Sequence, residues 1–208
     1  MYGVKEIYYT IQGEGHHTGQ AAIFCRFSGC NLWSGLEKDR ESAICKFCDT
    51  DFWGTDGENG GKYTDQELVN ICLSLWPKSL DIKPFVVFTG GEPLLQVDEA
   101  LITIFHEHSF YIAIETNGTI EVPPGIDWVC VSPKAGSHTI VKSGDELKVV
   151  YPQAGLDPKS FGDWDFEHFS LQPMDNDHLE QNTNQVLNYC RENPKWKVSL
   201  QMHKIVTV

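Results

Sequence analysis

The sequence is short of basic residues. Lys and Arg number 16 against 29 Asp and Glu, a formal net charge of −13 over 208 residues. A field of that sign repels phosphate backbones and anionic membranes, so neither nucleic acid nor a membrane surface is an expected partner. No apolar run approaches the length of a membrane span. Met1–Thr10 carries Lys5 and Glu6 and has no export-signal core, so a cytoplasmic location is expected. Internal repeats, low-complexity tracts and an interdomain linker are missing too, and a single domain over residues 1–208 is the expectation. What the chain does hold is an apolar fraction of 41% with 12% aromatics, enough for a real core. It also holds seven cysteines. In a reducing compartment, clustered thiols bind metal or do redox chemistry more often than they pair as disulfides.

Short apolar, β-branched segments recur along the chain. Val4–Ile11, Ala22–Ser28, Phe85–Thr89, Phe110–Thr116, Trp128–Ser132, Glu146–Tyr151, Phe169–Gln172 and Trp196–Gln201 read as strands. Several are apolar on both faces, as parallel strands covered by helices are. Between them stand three helices. Thr64-Asp65-Gln66-Glu67 is a capping box before Leu68, Ile71, Cys72 and Leu75. A second helix follows Asp98, and a third runs from about Asp177 to Asn193, closed by Pro194. Strands alternating with helices make an α/β protein. Three helices are too few for a full eight-unit barrel, so an open partial (β/α) barrel is expected.

Two motifs carry chemistry. Cys30, Cys45 and Cys48 form a Cys-x14-Cys-x2-Cys set in which the last two can place thiolates on one metal centre. Three readings stay open on spacing alone: a 4Fe-4S cluster with one free iron, a zinc site completed by His16 or His17, and ordinary thiols. Cys25, Cys72, Cys130 and Cys190 lie on apolar faces and read as core. The second motif, Gly90-Gly91-Glu92-Pro93, follows an apolar strand; two glycines there let a ligand approach bare backbone.

Together these resemble the radical S-adenosylmethionine (SAM) superfamily. Ile11-Gln12-Gly13-Glu14-Gly15, Gly29-Cys30-Asn31-Leu32-Trp33, Phe47-Cys48-Asp49-Thr50-Asp51, Glu115-Thr116-Asn117-Gly118, Ser132-Pro133-Lys134, Gln172-Pro173-Met174-Asp175 and Gln201-Met202-His203-Lys204 sharpen that likeness to the 7-carboxy-7-deazaguanine synthase family. The first cysteine gap of fourteen, where the superfamily usually has three, reads as a variant found in part of that family. The resemblance implies a lyase that converts 6-carboxy-5,6,7,8-tetrahydropterin to 7-carboxy-7-deazaguanine with loss of ammonia, for queuosine or another deazapurine. It implies reductive cleavage of SAM at the cluster, magnesium, an electron donor such as flavodoxin, and a homodimer.

Roles follow residue by residue. Cys30, Cys45 and Cys48 would hold the cluster, and Thr50 would ligate magnesium. Phe47, Asp49, Gly91, Glu92, Asn117, Ser132, Pro133, Lys134, Gln172, Pro173, Met174 and Asp175 would meet SAM, with Gly91 and Glu92 at its methionyl end. The backbone of Ile11, Gln12 and Gly13 and the carboxylate of Glu14 suit the donor-rich edge of a pterin. Arg26, in an otherwise apolar strand, needs an anion: the substrate carboxylate, or else a core salt bridge. Thr89 and His203 would be further substrate contacts. The carboxylate of Val208 would be one more, at the end of a strand-like run from His203. A zinc-stabilised binding protein and a glycyl-radical activase are the alternatives.

Overall fold

The computed structural model describes residues 1–78 and 82–206. β1 (Tyr2–Ile11), β2 (Ala21–Phe27), β3 (Gly61–Tyr63), β4 (Phe85–Gly90), β5 (Tyr111–Thr116), β6 (Trp128–Val131), β7 (Ser143–Tyr151), β8 (Asp165–Pro173) and β9 (Trp196–Val198) form one sheet. Its order is β3-β1-β2-β4-β5-β6-β7-β8-β9, with β3 and β9 as free edges, so the barrel is open as expected. From β2 onward each neighbour pair is parallel. The exception is β1, antiparallel to both β2 and β3. Its Ile11 pairs with Ala21, so the chain leaves β1 at the edge where the parallel strands begin.

The three helices are α1 (Asp65–Leu75), α2 (Glu99–Glu107) and α3 (Leu179–Glu192). Thr64 and Glu67 close the capping box reciprocally at 3.2 and 2.8 Å. The Asp98 carboxylate accepts from the Leu101 N–H at 3.0 Å and from the Tyr2 hydroxyl at 2.8 Å, tying α2 to β1. α3 starts two residues later than the sequence suggests, because the Asn176 carboxamide takes the His178 N–H into a turn. α1 and α2 cover one outer core built on Val86, Phe88, Ile112 and Ile114. α3 covers a second one on Leu147, Val149, Phe169 and Leu171.

Strand alternation turns the other residues inward. Near the strand starts the inner face is apolar, with Ala22, Val87, Ala113 and Cys130 packed together. The β1–β2 loop plugs this end. His16 stacks on Trp128 and His168, with ring centroids 4.8 and 4.1 Å apart, and His17 meets Phe85 and Trp128 edge-on. Both histidines thus lie at the opposite end of the sheet from Cys30, which follows the last residue of β2, and neither completes a zinc site there.

Two expectations change. β9 ends at Val198 rather than 201, and Met202–Lys204 is a 3-10 turn, so the strand-like run from His203 does not form; Ile205 and Val206 are exposed. Val208 lies outside the described residues.

Candidate active site

Open parallel sheets bind ligands beyond the carboxyl ends of their strands. Cys30 lies just past β2, Gly91 follows β4, Asn117 follows β5, Ser132 follows β6, and Gln172 and Pro173 end β8. A cavity of about 590 Å³ opens along this edge, inside the range of small-molecule sites. Cys45, Cys48, Phe47, Asp49 and Thr50 line one wall of it.

Cys30 sits behind that wall, against the Gly-Gly turn. A Cβ on Gly91 would fall 2.2 Å from the Gly29 carbonyl oxygen and 2.7 Å from Cys30 Cβ. Only glycine brings the turn this close to the cysteine. All three cysteines are free thiols. Burial pushes Cys30 and Cys45 up, and at Cys45 the Lys134 charge pulls the other way. Among the described residues no three His, Cys, Asp or Glu side chains converge as a single ion would require. Three free thiols at the strands' carboxyl edge, Cys30 packed against the Gly-Gly turn and Cys45 and Cys48 on the cavity wall, are a donor set that can hold a 4Fe-4S cluster.

The long insertion before Cys45 is ordered by its own contacts. Residues Glu37–Ser42 form a 3-10 helix. From it Arg40 lies 4.0 Å over the Trp33 ring and donates through Nη1 to the carbonyls of Lys46 and Cys48, at 3.0 and 3.1 Å. The insertion therefore clamps the main chain within the Cys45–Cys48 turn, at Lys46 and Cys48.

The floor is made by the β1–β2 loop, which rises into the sheet from below. Glu14 accepts from Lys148 Nζ at 2.8 Å, Gln201 Nε2 at 2.9 Å and Gln172 Nε2 at 3.3 Å. Burial alone would raise the Glu14 carboxyl, but the charge and hydrogen bond of Lys148 outweigh it and bring the pKa to about 2. Lys148 also pairs with Glu115 at 3.3 Å. Gly13 has no room for a side chain: a Cβ there would meet His203 Nδ1 at 2.7 Å, and its carbonyl accepts the Met202 N–H at 3.0 Å. Ile11, Gln12, Thr89, Arg26 and His203 all line the same cavity.

Several of the expected residues also carry contacts within the protein. Glu92 is fully buried and outside the cavity lining. Its carboxylate accepts from the Leu94 N–H (2.9 Å), the Thr116 hydroxyl (2.8 Å) and the Asn117 N–H (2.7 Å). It pins the end of β5 to the turn after β4. Pro133 is buried and outside the lining as well, while Ser132 and Lys134 are in it, joined at 2.6 Å. Asn117 lines the cavity, yet its side chain is held by Asn31 and Thr119. Gln172 belongs to the Glu14 network, which leaves Pro173, Met174 and Asp175 for the rim. Arg26 already has an anion: its Nε donates to Glu6 at 2.8 Å, and Nη2 to the Tyr8 hydroxyl at 3.2 Å. Lys204 bridges Asp49 and Asp175, at 2.6 Å from the latter, and holds the Asp49 carboxyl below its usual range against the effect of burial.

Lys148 is not singled out by any motif of the sequence, and Glu115, Gln201 and Lys204 stand in motifs without an assigned role. For Lys148 a signal existed: Glu146 and Lys148 alternate with Leu147 and Val149 in a strand buried on both faces, and a charge inside such a strand needs a partner.

An open partial barrel with three free thiols, a bare Gly-Gly turn and a polar cavity at the strands' carboxyl edge is the architecture of a radical SAM enzyme. No family model matches the chain. It is 55% identical over 204 residues to the 7-carboxy-7-deazaguanine synthase of Bradyrhizobium diazoefficiens, covering 98% of this chain and 97% of that one. To the synthase of Bordetella pertussis it is 52% identical over 208 residues, covering 100% and 99%. The crystal structure of QueE from Escherichia coli shares the fold, with a TM-score of 0.73 at 24% identity over 97% of this chain and 94% of that chain. The chain belongs to the 7-carboxy-7-deazaguanine synthase family, radical SAM lyases of queuosine biosynthesis that use a 4Fe-4S cluster and SAM.

Proposed function

We propose that this cavity takes 6-carboxy-5,6,7,8-tetrahydropterin beneath SAM and that the chain, as a single domain, turns the pterin into 7-carboxy-7-deazaguanine and ammonia. One observation carries the reading. The Cys45–Cys48 wall and the acceptor-rich floor of Glu14 meet in the same 590 Å³ space. When bound, the cluster and SAM supply the hydrogen-abstracting radical; the protein supplies position, charge and dryness.

Glu14, ionised, accepts two N–H donors from the pyrimidine edge, and the close-packed backbone of Gly13 fixes where that edge lies. Arg26 spends Nε on Glu6 and keeps Nη1 for the substrate carboxylate. Thr89 and His203 close the sides, and the role expected of Val208 falls outside the described residues. Cys30, Cys45 and Cys48 hold the cluster. Gly91 offers backbone to the methionyl end of SAM, and Ser132 with Lys134 meets its ribose or carboxylate. Phe47, with Lys134 Nζ 5.9 Å from its ring centroid, and Met174 flank the adenosyl group. Thr50 gives one oxygen to a magnesium ion that the substrate and waters complete. Flavodoxin as reductant and a homodimeric assembly go with this reading.

The test is anaerobic reconstitution. The protein should turn brown with about four irons per chain, and with SAM and a low-potential reductant it should convert the pterin, followed by mass spectrometry and ammonia release. A colourless protein with one zinc overturns the reading, as does a cluster-loaded protein that cleaves SAM but leaves the pterin unchanged. Thr50→Ala should lose the response to magnesium and keep SAM affinity; loss of both to the same degree would refute the magnesium assignment.

A further inference from the structure

The floor of the cavity carries more charge than recognition of an aminopyrimidine by one carboxylate requires. Lys148 points inward from β7 with 6% of its side chain exposed, 2.8 Å from Glu14 and 3.3 Å from Glu115. Two carboxylates on separate elements thus share one buried ammonium. Gln12 Nε2 donates to the Glu115 carboxylate at 3.0 Å. The other titratable neighbours are otherwise placed. Glu146 is taken by the Ser170 hydroxyl and the His16 N–H, Cys130 is a buried thiol of the inner apolar cluster, and His203 lies across Gly13.

Without the ammonium, two carboxylates would face each other in a buried space, where like charges do not both stay ionised. One would take up a proton. A protonated Glu14 presents a donor where the pyrimidine edge also presents donors, and the paired contact fails.

We propose that Lys148 is a positioning residue that holds Glu14 in its ionised, accepting form beside Glu115, and so sets affinity for the aminopyrimidine edge of the substrate. The proposal rests on the reading of Glu14 given above.

The experiment is equilibrium binding of 6-carboxy-5,6,7,8-tetrahydropterin to the cluster- and SAM-loaded protein, from about pH 6 to about pH 8.5. The parent should bind with little pH dependence, since Glu14 titrates far below this window. Lys148→Met should bind at least tenfold more weakly at the acid end and recover as pH rises, with parental iron content and SAM affinity. Lys148→Arg should restore the flat profile. Adding Glu115→Gln to Lys148→Met removes the repulsion and should also flatten it; this double variant buries one charge fewer and serves where Lys148→Met does not fold. Parental affinity with a flat profile in Lys148→Met overturns the proposal. So does a loss that is equal at every pH and unrelieved by Glu115→Gln, which would make Lys148 a direct substrate contact. Glu14→Gln separates the two layers: parental pterin affinity in that variant would sink the Glu14 reading itself.

Discussion

Glu92 sits in the motif that most resembles a SAM ligand, and its carboxylate is engaged by three donors of the protein itself. Its two oxygens serve different donors: Oε1 accepts from the Leu94 N–H and the Thr116 hydroxyl, Oε2 from the Asn117 N–H. In Glu92→Gln one oxygen becomes an NH2 group. The Thr116 hydroxyl can turn to accept from it, but the two backbone N–H groups cannot. Whichever way the new amide is placed, one buried N–H faces another donor. Leaving such a group unpaired costs about 1–3 kcal/mol, and the remaining bonds lose their charge assistance, so a total of about 2–4 kcal/mol is expected. For a domain of this size that is a fall in Tm of roughly 5–15 °C. The assay is thermal unfolding of the cluster-free protein, where neither SAM nor iron contributes. Weaker SAM binding in the loaded protein should accompany the stability loss, because Asn117 moves. A Glu92→Gln protein with parental cluster-free Tm and abolished SAM affinity would refute this reasoning and restore the carboxylate as a ligand.

Cys48→Ala should abolish iron retention and SAM cleavage with the fold intact by circular dichroism, whereas Cys72→Ala, in the outer core, should cost about 1 kcal/mol and leave iron content unchanged. Equal iron in Cys48→Ala and parent would remove Cys48 from the cluster. Arg40→Leu frees the main chain around Cys45–Cys48, and a chelator should strip iron roughly tenfold faster, equivalent to ~1.4 kcal/mol; parental retention would show the clamp to be idle. Glu14 has a folded pKa depressed to about 2, so its ion pair stabilises the protein above its unfolded pKa and fades as pH falls from about 5 toward 2. The stability gap between parent and Glu14→Gln should therefore be a few kcal/mol at neutral pH and close in acid; a gap that persists at pH ~2 contradicts the pairing.

What the sequence discloses stops where partners are chosen at long range. The parallel strands announce themselves because Phe85–Phe88 and Ile112–Ile114 are apolar on both faces, and α1 because Thr64 and Glu67 are three residues apart. Edge strand β3, three residues of Gly-Lys-Tyr, has no period to detect. The direction of β1 is invisible to alternation, and with it goes the register that sets Glu6 opposite Arg26. That register supplies Arg26 with the Glu6 carboxylate at its Nε, a partner that local spacing does not reveal. The partners of Glu92 are hidden for the same reason: two of its donors come from Thr116 and Asn117, at the end of the next strand, and no local spacing foretells them. Residues 203–206 are apolar enough for a strand, but the Gly13 carbonyl captures the Met202 N–H and turns the chain before one can form.

The antiparallel entry of β1 has a consequence for the chemistry. Had β1 run parallel to β2, the Ile11–Glu14 segment would have ended on the cysteine rim and competed with SAM for the same edge. Running the other way, it leaves the sheet at the closed, histidine-plugged end and climbs inside, so that Glu14 reaches Lys148 at the middle of β7 and Gln172 near the end of β8. In the proposed reading, substrate recognition is thereby built from below and cofactor binding from above. The two layers meet over Lys148, Gln172 and Gln201, side chains that bond to the floor while lining the shared cavity. On the reading proposed above, a substrate held by its polar edge on Glu14 presents its tetrahydropyrazine ring upward, toward the rim where Cys45, Cys48 and Gly91 lie. Geometry of this kind is what a radical reaction asks of a protein, because the reacting atoms must be in contact and water kept out before the cofactor is cleaved.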